Sequence, residues 1–230
     1  MEIEEIGLKP VQPTLFDLGD SSAGILELFP GIWHLLEMAI SPDTQARKVA
    51  VTRLAHMGAV RLLPLVVYIF VTRITDCDQE LRSEVINYLG DVYLPDEQRR
   101  PAPEAVRQCL TSQLSEIRTR QIYAMLQVLS SHPDLEPAVA RLLNSCPYAG
   151  NQLAEILASR KVPLDIRHHA VRMIGFVGYL EAIPALERLL TRLEVRVHGQ
   201  QSMAFASVEL ADEAELIPDI RKALAYLSSP

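Results

Sequence analysis

Cysteine is scarce: Cys77, Cys109 and Cys146 are the three in 230 residues, far apart and without a Cys-x-x-Cys pair. That excludes a disulfide framework and the common zinc motifs, and it suits a reducing compartment, so a cytoplasmic location is expected. Long hydrophobic runs are missing too. The longest, Leu62 to Val71, has ten residues including Pro64, against roughly 20 for a membrane span. No membrane association is expected. The start, Met1-Glu-Ile-Glu-Glu5, is acidic, without the basic and apolar regions of a secretory signal, so none is expected. A positive excess is absent: 22 Lys and Arg face 29 Asp and Glu, a net −7. The acidity lies at the two ends. Residues 1–29 hold Lys9 against six acids, residues 209–230 hold Arg221 and Lys222 against five, and the body between carries +1. Phosphate tracking leaves a far stronger basic signature, so nucleic acid is not an expected partner. Gly-x-Ser-x-Gly, P-loop and Gly-x-Gly-x-x-Gly motifs are also absent, which removes the usual sequence warrants for nucleophilic, nucleotide or dinucleotide chemistry.

What is present is a step. Pro30, Pro64, Pro103, Pro137, Pro184 and Pro218 follow one another at gaps of 34, 39, 34, 47 and 34 residues. Between them runs a second motif, an apolar residue followed by Arg, at Ala46-Arg47, Leu81-Arg82, Ile117-Arg118, Ile166-Arg167 and Val195-Arg196. Two interleaved ladders near a period of 35 predict stacked helix pairs, a fold that buries its core by stacking neighbours. The fold class expected is all-α, an α-solenoid of about six antiparallel helix pairs.

Residues 1–24 contain Pro10, Pro13, Gly19, Ser21, Ser22 and Gly24 without a helical period, and read as an extended or disordered tail. From Ile25 to the end the helical pattern is nearly continuous, in segments near 25–40, 44–58, 61–74, 79–92, 102–115, 116–131 and 134–144. An extra helix, 150–161, fills the 47-residue gap, followed by 164–179, 181–192, 195–208 and 213–228. In 44–58 the apolar positions 46, 49, 50, 54 and 57 share one face. Proline near a helix start costs little, because its missing N–H has no intrahelical partner there.

The run Asp165-Ile-Arg-His-His-Ala-Val-Arg-Met-Ile-Gly-Phe-Val-Gly178, followed by Leu180-Glu-Ala-Ile-Pro-Ala-Leu-Glu-Arg-Leu-Leu190, resembles the short, phycobilisome-lyase-type HEAT repeat. The resemblance covers about 25–230 and is strongest at 164–191. It implies an armadillo-like superhelix whose arginines form an internal ladder to acids or carbonyls of the next repeat. It implies too that the second helices line a concave, partner-binding face. Counted from each ladder arginine, the positions facing that groove hold Lys48, Thr52, His56, Glu84, Asn87, Arg120, Tyr123, Gln127, His168, His169, Arg172, Phe176, His198 and Phe205. This polar and aromatic mixture suits a grip on a protein segment.

Catalytic groups, cofactors and metals are not expected. His168 and His169 are adjacent, so on a helix they diverge by about 100°, and no His-Glu pair recurs as in the iron-binding HEAT-like deoxyhypusine hydroxylases. Cys77 lies between Asp76 and Asp78, a poor setting for a nucleophile. The function expected is a non-enzymatic protein-interaction scaffold. One alternative implied by the resemblance is a bilin lyase-like chromophore attachment factor. Another, a HEAT-like DNA-repair protein, is disfavoured by charge. Oligomeric state is left open. The junction beside His168, His169 and Arg172, next to the irregular gap, is the place to look first.

Overall fold

The computed structural model describes residues 30–200 and 213–228. Among them are twelve α-helices, two short 3-10 turns and no strand. The helices are α1 (Pro30–Ala39), α2 (Thr44–His56), α3 (Ala59–Leu62), α4 (Pro64–Arg73), α5 (Gln79–Asp91) and α6 (Glu104–Ser115). They continue with α7 (Thr119–Leu129), α8 (Glu136–Asn144), α9 (Ala149–Ala158), α10 (Leu164–Val177), α11 (Ile183–Gln200) and α12 (Leu216–Ser228). None of the described helices is long and apolar enough to cross a membrane. The tail expected at 1–24 lies outside the described residues.

Local chemistry sets the boundaries. Asp43 caps α2 by accepting from the N–H groups of Gln45 and Ala46, and Asp78 caps α5 by accepting from that of Leu81, which satisfies donors that have no partner within the helix. Pro64 opens α4 and splits the segment expected at 61–74 from the short α3. Gly178 ends α10 at φ 91°, and its N–H and that of Tyr179 both return to the Ile174 carbonyl. That backbone conformation favours glycine.

The arginine-bearing helices pack side by side, α2 on α5, α5 on α7 and α7 on α10. Helix α1 packs on α2, α4 on α5 and α6, and α9 on α7 and α10. One expectation is corrected at the C-terminal end. Helices were expected at 181–192 and 195–208, with Arg196 opening the second. Instead α11 runs unbroken from Ile183 to Gln200. No glycine or proline interrupts 185–198, and Leu186, Leu189 and Leu193 stay buried along one face, so nothing stops the helix there. Helix α12 then packs against α10 and α11.

The arginine ladder is real in two rungs. Arg47 is the fourth residue of α2 and Arg167 the fourth of α10. Each is buried and reaches an acid that lies three residues before a packed helix, Asp76 before α5 and Glu213 before α12. Arg167 also donates Nε–H to the Leu157 carbonyl at 2.8 Å. Elsewhere that register is not kept. Arg82, fourth in α5, turns to Gln127 Oε1 at 2.9 Å, and Glu116, three residues before α7, is exposed. Arg118 is an exposed residue at the N-cap of α7. Arg196, inside α11, converges with Arg160 and Arg167 on Glu213.

A second tie joins α8 to the turn after α10. Tyr179 is buried and donates its hydroxyl to the Leu143 carbonyl at 2.5 Å; burial pushes the phenol well above its ordinary value. Tyr179→Phe removes that bond, while the Leu143 carbonyl still accepts from the Cys146 N–H at 2.8 Å. The expected loss is about 0.5–1.5 kcal/mol, measured by urea denaturation; an unchanged midpoint would show the bond to be dispensable.

Candidate functional site

One face of α10 is core, formed by Ile166, Ala170, Val171, Met173 and Ile174. His168, His169, Arg172, Gly175 and Phe176 recur at helical spacing on the adjoining face. That face meets α12, whose Ile220, Ala223 and Leu227 are buried while Asp219, Lys222 and Tyr226 lie one position aside. The turn Pro133–Leu135 and the first residues of α8 form a third wall. Together these elements enclose a cleft of about 870 Å³.

The helices approach closely at its floor. A Cβ added to Gly175 would stand 3.0 Å from both Cα and Cβ of Ala223. The rings of Phe176 and Tyr226 rise beside this contact, 61% and 59% exposed. Lys222 Nζ stands 5.8 Å from the centroid of the Tyr226 ring. Polar ties cross the cleft. His168 Nδ1 lies 2.6 Å from Asp219 Oδ2, and Arg172 Nη2 donates to Glu136 Oε2 at 2.6 Å. Burial, helped by the nearby Arg172 charge, holds His169 below the ordinary histidine value, so it is neutral near pH 7.

The remaining expected groove residues fall elsewhere. Lys48 pairs with Asp78 at 3.0 Å and Glu80 at 2.7 Å, and Thr52 Oγ1 lies 3.1 Å from Glu84 Oε2, so these three tie α2 to α5. Asn87 is half-buried on α5 and His56 is exposed at the end of α2. Arg120 and Tyr123 do not face the same space; they line a hollow of about 410 Å³ between α7 and α9. Gln127 is taken by Arg82. The side chain of His198 and all of Phe205 lie outside the described residues. Of the expected groove residues, His168, His169, Arg172 and Phe176 are thus brought together in one cleft, and Arg120 and Tyr123 in another.

Asp134, Glu136, Asp219, Lys222 and Tyr226 were missed. Asp219, Lys222 and Tyr226 follow from α12 packing on α10, and Asp134 and Glu136 from the turn before α8 and its first residue; no composition or period argument signals either placement. A sequence echo does. Pro133-Asp-Leu-Glu-Pro-Ala-Val-Ala-Arg-Leu142 and Pro218-Asp-Ile-Arg-Lys-Ala-Leu-Ala-Tyr-Leu227 match at proline, aspartate, both alanines and leucine, which marks α8 and α12 as equivalent helices.

In chemical terms the cleft offers hydrogen-bond groups and exposed rings. No Ser, Thr or Cys side chain lines it. Among the described residues no three His, Cys, Asp or Glu side chains converge as metal ligands. Cys146 is buried and its thiol pushed up to about 12, Cys109 is half-buried, and Cys77 stands 3.5 Å from an Arg47 nitrogen. No family model, curated protein or solved structure matches the chain.

Proposed function

We propose that the chain is a HEAT-like α-solenoid that holds a segment of a partner protein in the cleft between α8, α10 and α12, as a non-enzymatic scaffold of the cytoplasm. The observation carrying this reading is the pair of rings, Phe176 and Tyr226, held largely exposed over a rigid Gly175–Ala223 floor. Rings fixed by helices and left in water gain contact area at little entropic cost when a partner covers them. The register of Arg47 with Asp76 and of Arg167 with Glu213 supports the solenoid, since equal positions on two helices reach equal positions before their neighbours. The ion pairs around the rings add orientation rather than reaction chemistry.

The test is site-specific photocrosslinking in cells. A photoreactive phenylalanine at position 176 is expected to capture a defined partner segment, and one at exposed Tyr68 of α4 is not. Tyr226→Asp is expected to weaken that capture at least about tenfold with an unchanged melting temperature. Equal labelling from both positions, or indifference to Tyr226→Asp, would defeat the reading.

A further inference from the structure

The first helix pair carries a face that the second pair keeps covered. Pro30 opens α1 and Pro64 opens α4, so the two helices can be compared position by position. Two and six residues after each proline the side chain is buried in both, as Ile32 and Leu36 in the first and Val66 and Phe70 in the second. Three, seven and ten residues after it the helices part. Val67, Val71 and Ile74 are buried, whereas Trp33, Glu37 and Ile40 are exposed, Trp33 to 44% and Ile40 to 55%. The arginine-bearing helices differ in the same sense. Ten residues past Arg47, Met57 is exposed; ten past Arg82, Val92 is buried.

The surroundings give the reason. Helix α1 packs on α2 and α4, as α4 packs on α5 and α6. Helix α4 also has α1 and α3 before it, while among the described residues nothing precedes α1. The uncovered positions are therefore those that a preceding element would close. An end repeat whose outer face is apolar needs a cap.

The sequence supplies an occupant at this end. Residues 1–29 lead into α1. Within them Thr14-Leu-Phe-Asp-Leu18 holds three large apolar side chains in five residues, and Gly19-Asp-Ser-Ser-Ala-Gly24 follows with residue types that favour a chain reversal. A reversal there sends 14–18 back along α1. The link 19–29 spans up to about 36 Å when extended, and α1 measures about 15 Å, so the tether reaches its whole length. So short a tether gives an effective concentration of about millimolar, which a separate chain reaches only when abundant.

We propose that residues 14–18 of this chain cover the outer face of α1 in cis, with Leu15, Phe16 and Leu18 against Trp33 and Ile40. The strap withholds this face from other copies, whose end-to-end stacking would propagate without closure.

Trp33 is the one tryptophan of the chain, so its fluorescence reports the contact in the full-length protein. Phe16→Asp and Leu18→Asp are each expected to shift its emission to the red, to raise its quenching by acrylamide and to lower the melting temperature by at least about 2 °C. Val11→Asp, which adds the same charge outside the strap, is expected to change none of these. Wild-type quenching is expected to hold over about a hundredfold dilution, as a tethered contact requires. A photoreactive phenylalanine at position 16 is expected to give adducts on Trp33, Glu37 or Ile40 at monomer mass. Quenching that rises on dilution, or adducts at dimer mass, would assign the face to a second copy and overturn the proposal. Strap variants that behave as the wild type, a Val11→Asp variant that behaves as they do, or adducts confined to other helices overturn it as well. The scaffold reading rests on the crosslink at position 176 and is moved by none of these results.

Discussion

Replacing Asp76 with alanine will destabilise the fold by about 3–5 kcal/mol, the usual cost of leaving a buried charge without its partner. The Arg47 side chain is 6% exposed and the Asp76 side chain 3%. Two contacts join them: Nη2 donates to Oδ1 at 2.8 Å, and Nε lies 2.8 Å from Oδ2. Arg47 Nη1 also donates to the carbonyls of Ser41 and Pro42, at 3.0 and 2.8 Å. The guanidinium thus fastens the turn before α2 to the turn before α5. Asp76 Oδ1 in addition accepts from the Asp78 N–H at 3.0 Å, so its loss also loosens the cap of α5. The double variant Arg47→Met/Asp76→Ala removes both charges and is expected to recover more than half of the loss, because the methionine fills the space without needing an anion. Urea denaturation of the two single variants and the double gives the coupling directly. A double variant as unstable as the sum of the singles would show the two side chains to be energetically independent.

The same pair sets a pH response. Burial pushes the Asp76 carboxyl up, but hydrogen bonds from Arg47 and from the Asp78 backbone outweigh it and hold the group below its ordinary value. A depressed carboxylate stabilises the fold above its unfolded value, near 3.9, and that contribution is lost as pH falls through the lower folded value. The wild-type chain should therefore lose stability below about pH 4. Asp76→Asn should be less stable at neutral pH and flatter with acid; a parallel slope would assign the acid response to other groups, such as Asp78, which is lowered chiefly by the Leu81 N–H bond.

The helices were legible because their signals are local. Aspartate caps, prolines at first turns and apolar spacing specify each segment whatever it packs against, and the extra helix near 150–161 appears as α9. The ladder was legible only where the register of both partners survives. Asp76 and Glu213 occupy the same place before their helices, whereas Arg82 found Gln127 on α7 instead of Glu116. The choice of neighbour was not legible. His168, His169, Arg172 and Phe176 could be assigned to one helix face from spacing alone, but what lies opposite them depends on α12 packing against α10. That is a tertiary outcome, and a ladder residue such as Arg196 looks the same in the sequence whether it opens a helix or sits inside one. The echo between α8 and α12 carries the missing information because it reports equivalence of environment, which helical periodicity does not.

Gly90→Val should be the second severe variant, with a loss of about 3 kcal/mol from overpacking. Its Cβ would lie 2.8 Å from Ala138 Cβ and 3.0 Å from the Ala138 Cα. The clash is thus partly with backbone, and α8 must move bodily away from α5. That movement also draws Arg141 from the Gly90 carbonyl and from Asp91. Helix propensity works the other way, since valine is a better helix former than glycine by a few tenths of a kcal/mol, and is too small to compensate. A milder pair isolates the geometry: Gly90→Ala should cost about 1–3 kcal/mol, and Ala138→Gly in the same chain should return part of it by removing the opposing methyl. Thermal melts and amide exchange in α8 provide the readout. Gly175→Ala at the equivalent joint should be milder, because its Cβ meets Ala223 at 3.0 Å rather than 2.8 Å, and among the described helices α12 packs mainly on α10 and α11 whereas α8 packs on α5, α7 and α10. If Gly90→Val melts as the wild type does, α8 is held by its apolar face alone and the close glycine contact is incidental to the joint.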